Sequence, residues 1–377
     1  MRDTVKVGVI ADQTGALSPL GGAQANTATQ VVDEINASGG LLGRHIELLI
    51  EDSVSDDAQA ASAAAKLVQD DHVDVLLGGI FSSTRQAIKD PAVVDGETLY
   101  IYPEQYEGQE YHPLLFCTGA VPAQQVEPLI PWVMQQTGAR TFYLPSADYI
   151  WPHVMNRKVH EVASANGGRI VGEVYFPIDH ADWGETVDRI NASGADVVFN
   201  TTVPPGCFSF LEALCESGYT ERGGRVVTTY FDENLAAALP SEHIEGLYGC
   251  IDYYQTVSDP FSKELLGRYN ARFPEGPHFS AGSGSTGIYR GLKLWEAAVT
   301  EAGSLDQAAV VAALDHAKLA ESPGGPAEMV PGQHHARMNM FIAQARGGQF
   351  RIVETLGAID PKEGVVGVEA TTATAAR

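Results

Sequence analysis

Segments of strand and helix character alternate from the first residues of this chain, and that alternation constrains its fold more than any other feature. Residues 5–11, VKVGVIA, form a largely β-branched apolar run, the pattern of a strand buried on both faces. A helix is predicted over 22–37, where Ala25, Ala28, Val32 and Ile35 recur at helical spacing, and Ser38-Gly39-Gly40 stops it. Strands over 45–51, 73–78 and 99–102 then alternate with helices over 58–69 and 83–94. After Val121 the same grammar restarts. Helices over 124–137, 152–166, 183–192 and 207–217 alternate with strands over 140–144, 169–176, 197–201 and 226–230. Such spacing implies parallel βαβ units with right-handed crossovers. The expected class is α/β, with two open parallel sheets in tandem.

The last third does not read as a third sheet. Helices are predicted over 265–273, 286–302 and 305–314, followed by a strand pair over 336–345 and 349–355 around ARGGQF. These pieces complete the first two units. The Ala/Thr-rich tail after Gly364 is expected to be loose. At 377 residues the chain is long for one hydrophobic core, so two domains of ordinary size fit best.

Acidic residues outnumber basic ones by 48 to 24, a formal net charge of −24. That field repels nucleic acid and anionic lipid, which are bound through Lys and Arg, so no nucleic-acid partner is expected. The charge serves solubility; a sharper reading is attraction of cationic solutes. No apolar run approaches the roughly 20 residues that span a bilayer. The start MRDTVKVGVI lacks a basic segment followed by an apolar core. An exported precursor with its leader removed would be periplasmic or at the cell surface; a native start at Met1 would make it cytoplasmic. Cys117, Cys207, Cys215 and Cys250 form no CxxC pair and read as buried small hydrophobes, although Cys207 and Cys215 are spaced so that a bridge stays open.

Catalytic motifs are missing. There is no GxxxxGK[ST] phosphate loop, GxSxG elbow or HExxH motif. GLLGRH at Gly40 lies between a helix and a strand, the wrong context for a dinucleotide fingerprint. His334 and His335 are adjacent on a predicted strand, so they point to opposite faces and suit no single metal ion. Asp252, Tyr253 and Tyr254 have no nucleophile or second carboxylate placed beside them, and this stretch reads as a solvated or hinge segment. The expectation is a non-enzyme with no catalytic residue, cofactor or metal.

In open α/β sheets, ligands sit beyond the carboxyl ends of the strands. The loops there are rich in candidate binding residues. GGIFSSTR places Ser82, Ser83 and Thr84 where a helix begins, offering hydroxyls and unpaired backbone N–H groups; one serine is expected to cap the helix. YPEQYEGQEY, residues 102–111, holds three tyrosines and three glutamates, which is not core composition. Tyrosine suits the grip of a small polar solute. SADYIWPH puts Tyr149 and Trp151 two apart, on one face of an extended segment. The loops 200–206 and 229–234 complete the set.

Several stretches carry a family resemblance: VGVIADQTGALS, EINASGGLLGRHIEL, the STR turn, YPEQYEG, TGAVPAQQ, SADYIWP and GQHHARM. Over nearly its whole length the chain resembles type I periplasmic-binding-protein-like receptors. Within them it resembles the amide and urea group, which includes the solute receptors of urea transporters and the cytosolic amide sensor of amidase operons. YPEQYEG and SADYIWP are the more specific marks. The resemblance implies two Rossmann-like open parallel-sheet lobes, joined by a three-crossing hinge near residues 120, 250 and 330, with a ligand cleft between them. One lobe would comprise 1–120 plus about 251–330, the other 121–250 plus about 331–377. It implies ligand contacts at Ser82, Tyr102, Glu104, Tyr149 and Trp151, with Ser83, Thr202, Asp232 and Glu233 on loops at the cleft.

Two departures matter. Relatives carry a small or neutral residue at the Glu104 position, and a tyrosine is common at that of Trp151. A carboxylate at Glu104 repels anionic ligands and favours a neutral hydrogen-bond donor or a cation. Trp151 adds aromatic surface suited to a cation or a larger apolar group. The expected function is a solute-binding protein that closes on a small amide, urea or related nitrogen compound and delivers it to an ABC transporter permease. The alternative is a cytosolic ligand-gated sensor acting on a regulatory protein of an amidase operon; a homodimer is open in either case.

Overall fold

The structure is a computed structural model that describes residues 4–281 and 284–366. Its first half runs β1 (Thr4–Ala11), α1 (Ser18–Ala37), β2 (His45–Asp52), α2 (Asp57–Ala65), β3 (Val75–Gly78), α3 (Ser82–Lys89), β4 (Tyr100–Tyr102) and β5 (Leu115–Cys117). The second half runs α4 (Pro122–Thr137), β6 (Thr141–Ala147), α5 (Ile150–Ala165), β7 (Arg169–Phe176), α6 (Gly184–Ser193), β8 (Val197–Phe199), α7 (Gly206–Glu216), β9 (Arg225–Thr228), α8 (Glu233–Ala237), α9 (Ser241–Ile244) and β10 (Tyr248–Ile251). Then come α10 (Pro260–Arg272), α11 (Thr286–Ala302), α12 (Gln307–Leu314), β11 (Lys318–Leu319), β12 (Ala327–Val330), β13 (His335–Arg346) and β14 (Gln349–Ile359).

The two halves repeat one topology. The strand order is β2-β1-β3-β4-β5 in the first and β7-β6-β8-β9-β10 in the second, all parallel. Each half therefore has a switch point beside its first strand, where flanking loops splay apart and leave a crevice. In β1, Val5, Val7 and Val9 pack on one face with α1, while Ile10 joins Leu76 and the Ala-rich face of α2 on the other. Both faces are covered, as a β-branched run requires.

The halves do not form two separate sheets, as the tandem pattern suggested. Strand β13 pairs antiparallel with β10 and meets β5 through one bridge, His335 to Cys117, so the hydrogen-bonded path is continuous. At 12 residues, β13 is long enough to reach both. The chain passes between halves after β5, after β10 and after β12. Helix α11 packs on α1, β3 and β4, returning this part of the chain to the first half.

Two short strands escape periodicity. β5 is LFC and β10 is YGCI, too brief and too buried to show alternation. Helix α1 begins at Ser18 rather than 22, with Pro19 in its first turn, where a missing N–H costs nothing. All four cysteines are free. Of the tail, residues 367–377 lie outside the described residues. No helix among the described residues is long and apolar enough to cross a membrane.

Asp252 is not solvated. It is 2% exposed and ion-paired to Arg290 of α11 at 2.6 Å. His334 stacks on Phe116 at 3.8 Å, whereas His335 turns to Tyr106 and its Nδ1 bonds the Gln333 carbonyl oxygen at 2.7 Å. Burial holds His335 down to about 4, so its ring is neutral at pH 7.

Candidate functional site

A narrow cleft lies where the strand ends of the two halves face each other. The first half contributes Leu17, Leu20, Ile80, Phe81, Ser82, Glu104 and Gln105; the second contributes Tyr149, Trp151, Val203, Pro204, Tyr230 and Leu235. A second, more polar cavity lies between residues 107–111, α4, α5 and residues 361–363, and is crossed by ion pairs of Glu127 with Lys158 and Lys362. The cleft between the halves is the better ligand site, being mostly apolar with a few convergent polar groups.

Aromatic rings build one wall. Phe81 and Tyr149, from opposite halves, meet edge to face at 5.6 Å. Tyr149 stacks on Trp151 at 6.3 Å, and Trp151 meets Tyr230 edge-on at 5.7 Å. Burial, with Glu107 and Glu104 nearby, holds the Tyr149 phenol well above its usual range, so it stays a neutral hydroxyl. The Trp151 indole N–H is buried with no partner in the protein. An orphaned donor of this kind costs stability unless an acceptor reaches it.

The loop after β4 is held by close backbone approaches. A Cβ on Gly119 would lie 1.9 Å from the Glu104 carbonyl oxygen, and one on Gly287 would lie 1.8 Å from that of Pro103. Only glycine permits either contact, and together they seat Glu104 in the cleft at 3% exposure. Its Oε1 accepts from the Gln105 N–H at 2.9 Å. Gln105 Oε1 accepts from Gln125 of α4, which also donates to the Thr229 carbonyl oxygen, tying this loop to the second half. Among the described residues lining the cleft there is no Lys, Arg or His.

Ser82, Glu104, Tyr149 and Trp151 are thus brought together. The other candidates stand elsewhere. Tyr102 lies under the cleft wall, fully buried, its hydroxyl donating to the Ile80 carbonyl oxygen at 2.6 Å and its ring under Arg85 at 5.1 Å. Ser83 is partly exposed and does not line the cleft. Neither serine caps α3: the cap position is Phe81, and the Ser82 hydroxyl goes to Glu107 instead. Thr202 donates to Asn200 at 2.7 Å, and Asn200 donates to Tyr230, so Thr202 supports the aromatic wall from behind. Asp232 caps α8, accepting from Leu235 N–H at 3.0 Å; burial raises it to about 6. Glu233 accepts from Gln255 N–H at 2.7 Å and borders a different cavity with His278 and Phe350. Burial first, then Asp232 and Asp252, raise it to about 8 against the lowering bond from Gln255.

Sequence reasoning passed over Gln105, Glu107 and Tyr230. All three lie in loops it had marked, but a loop has no periodicity to tell which side chain turns inward.

The chain matches the family model described as periplasmic binding protein over residues 4–349. It is 33% identical over 88 residues to the leucine-, isoleucine-, valine-, threonine- and alanine-binding protein of Pseudomonas aeruginosa, 23% of each chain. This match, like several others to curated relatives, spans about a quarter of the relative's length. Among solved structures, it resembles a solute-binding protein of an ABC transporter from R. palustris in complex with benzoate, with TM-score 0.83, 20% identity and coverage of 97% of this chain and 99% of that one. It also resembles a leucine-binding protein from Thermotoga maritima, with TM-score 0.82, 18% identity and coverage of 94% and 99%. These likenesses concern the fold. With its two-lobed parallel architecture and interlobe cleft, the chain belongs to the periplasmic binding protein family.

Proposed function

We propose that this protein is the solute-binding component of an ABC-type transporter, and that its ligand is a small amide, urea or related nitrogen compound. The carrying observation is the polarity of the cleft: a buried carboxylate, Glu104, among aromatic rings, with no basic side chain lining it among the described residues. The similar proteins are named for branched-chain amino acids or were solved with benzoate, and all of these ligands carry a carboxylate. A carboxylate about 4 Å from Glu104 would cost on the order of 4 kcal/mol at an effective dielectric of ~20. A neutral ligand with N–H donors and a carbonyl oxygen avoids that cost. It could donate to Glu104 and accept from the orphaned Trp151 N–H. These similar proteins are solute-binding proteins, which supports transport over the sensor reading.

Contact between Phe81 and Tyr149 across the cleft supports a closing mechanism, in which ligand touching both lobes favours the closed state. The test is a thermal-shift screen of purified protein against short amides, ureas, guanidines, amino acids and organic acids. Stabilisation by amides, ureas or cations alone is expected, and Glu104→Gln should change the ligand profile more than the stability. A response confined to amino or organic acids would overturn the ligand class.

A further inference from the structure

The Ser82 hydroxyl has one hydrogen and two lone pairs. Its hydrogen is committed away from the cleft, to Glu107 Oε2 at 2.5 Å. Glu107 cannot return the bond, because its other oxygen is ion-paired to Arg85 at 2.7 Å. Both side chains of that pair are buried, with exposures of 4% and 2%. Arg85 is fixed in turn: its Nε donates to Glu110 at 3.0 Å and its guanidinium lies over Tyr106 at 4.5 Å. A guanidinium has no acceptor, so the chain of donation runs one way, from Ser82 and from Arg85 into Glu107.

We infer that Glu107, which does not line the cleft, is a specificity-determining positioning residue: it turns Ser82 into an acceptor-only group toward the ligand. This rests on the nitrogen-compound reading above and deepens it. Ser82 and Glu104 then form an acceptor pair suited to an N–H₂ head, as on a primary amide or urea. A ligand carboxylate would meet lone pairs at both positions. The signal lies in no single residue; it comes from loop 103–111 lying against the start of α3.

Glu107→Gln tests the direction of the bond. Arg85 can only donate, so the new amide must turn its oxygen to Arg85 and its NH₂ to Ser82. Ser82 then accepts from residue 107 and its hydrogen is released to the cleft. Calorimetric titration with propionamide and propionate reads the change. In the wild type, propionamide is expected to bind more tightly. In Glu107→Gln, the propionamide-to-propionate affinity ratio should fall by roughly tenfold or more, the effect of one hydrogen bond gained or lost. An unchanged ratio in folded variant would overturn the inference and leave the ligand class standing. If the variant fails to fold, Ser82→Ala decides: propionamide should lose roughly tenfold and propionate nothing. A loss shared equally, or borne by propionate, overturns the acceptor role. A wild type that prefers propionate, or binds neither, removes the ligand class and this inference with it.

Discussion

Arg290 of α11 grips Asp252, the residue just after β10, at 2.6 Å, and both side chains are 1% exposed. The same guanidinium donates through Nε and Nη2 to the Thr118 carbonyl oxygen, just after β5, at 3.1 and 2.9 Å. One buried cation therefore fastens two of the three connections between the lobes. Replacing Arg290 with Met leaves Asp252 charged and buried. A loss of about 3–5 kcal/mol is expected in urea unfolding, with partial recovery when Asp252 is also made apolar.

Gly119 lies in the first of those connections, against the Glu104 carbonyl. Gly119→Ala must push the Glu104 loop aside, because backbone cannot yield like a flexible side chain. Ligand affinity should fall at least about tenfold, on the order of 1.4 kcal/mol, measured by titration with whichever compound the screen identifies. Unchanged affinity would mean that the loop's position is not set at this contact.

Tyr149 reaches the cleft from the second lobe and touches Phe81 of the first. Tyr149→Ala should weaken ligand binding by about 1–3 kcal/mol, the range for losing a buried polar or aromatic contact. Equal affinity in the variant would take Tyr149 out of the site.

Glu233 predicts a pH dependence of stability. Its folded value of about 8 exceeds its ordinary 4.5, so between them the folded protein holds a proton that the unfolded chain has released. Stability contributed by this group is therefore lost as pH rises from about 4.5 to about 8. Glu233→Gln removes the penalty. The variant should be more stable by on the order of 1–3 kcal/mol at pH 8, and equal to wild type below about pH 4.5. A difference that does not change with pH would show that Glu233 is solvated.

Local pattern determined the repeated βα grammar, because alternation of buried runs and helical stripes is written in neighbouring residues. Of the residues it singled out, Ser82, Glu104, Tyr149 and Trp151 line one cleft. It did not show that the Tyr102 hydroxyl is spent on the Ile80 carbonyl oxygen, nor that Asp252, read as solvated or in a hinge, is buried at a lobe connection with its charge matched by a residue 38 positions away. It could not foresee that β13 would join both halves into one sheet, since strand pairing across such distances leaves no local trace. Nor could it give the direction of the Ser82 to Glu107 bond, which depends on Arg85 standing on the far side of the carboxylate. Composition and periodicity act along the chain, so they fix elements and loops. Which side chain turns inward, and which atom holds the hydrogen, depends on contacts between segments far apart in sequence, and only the tertiary structure decides them.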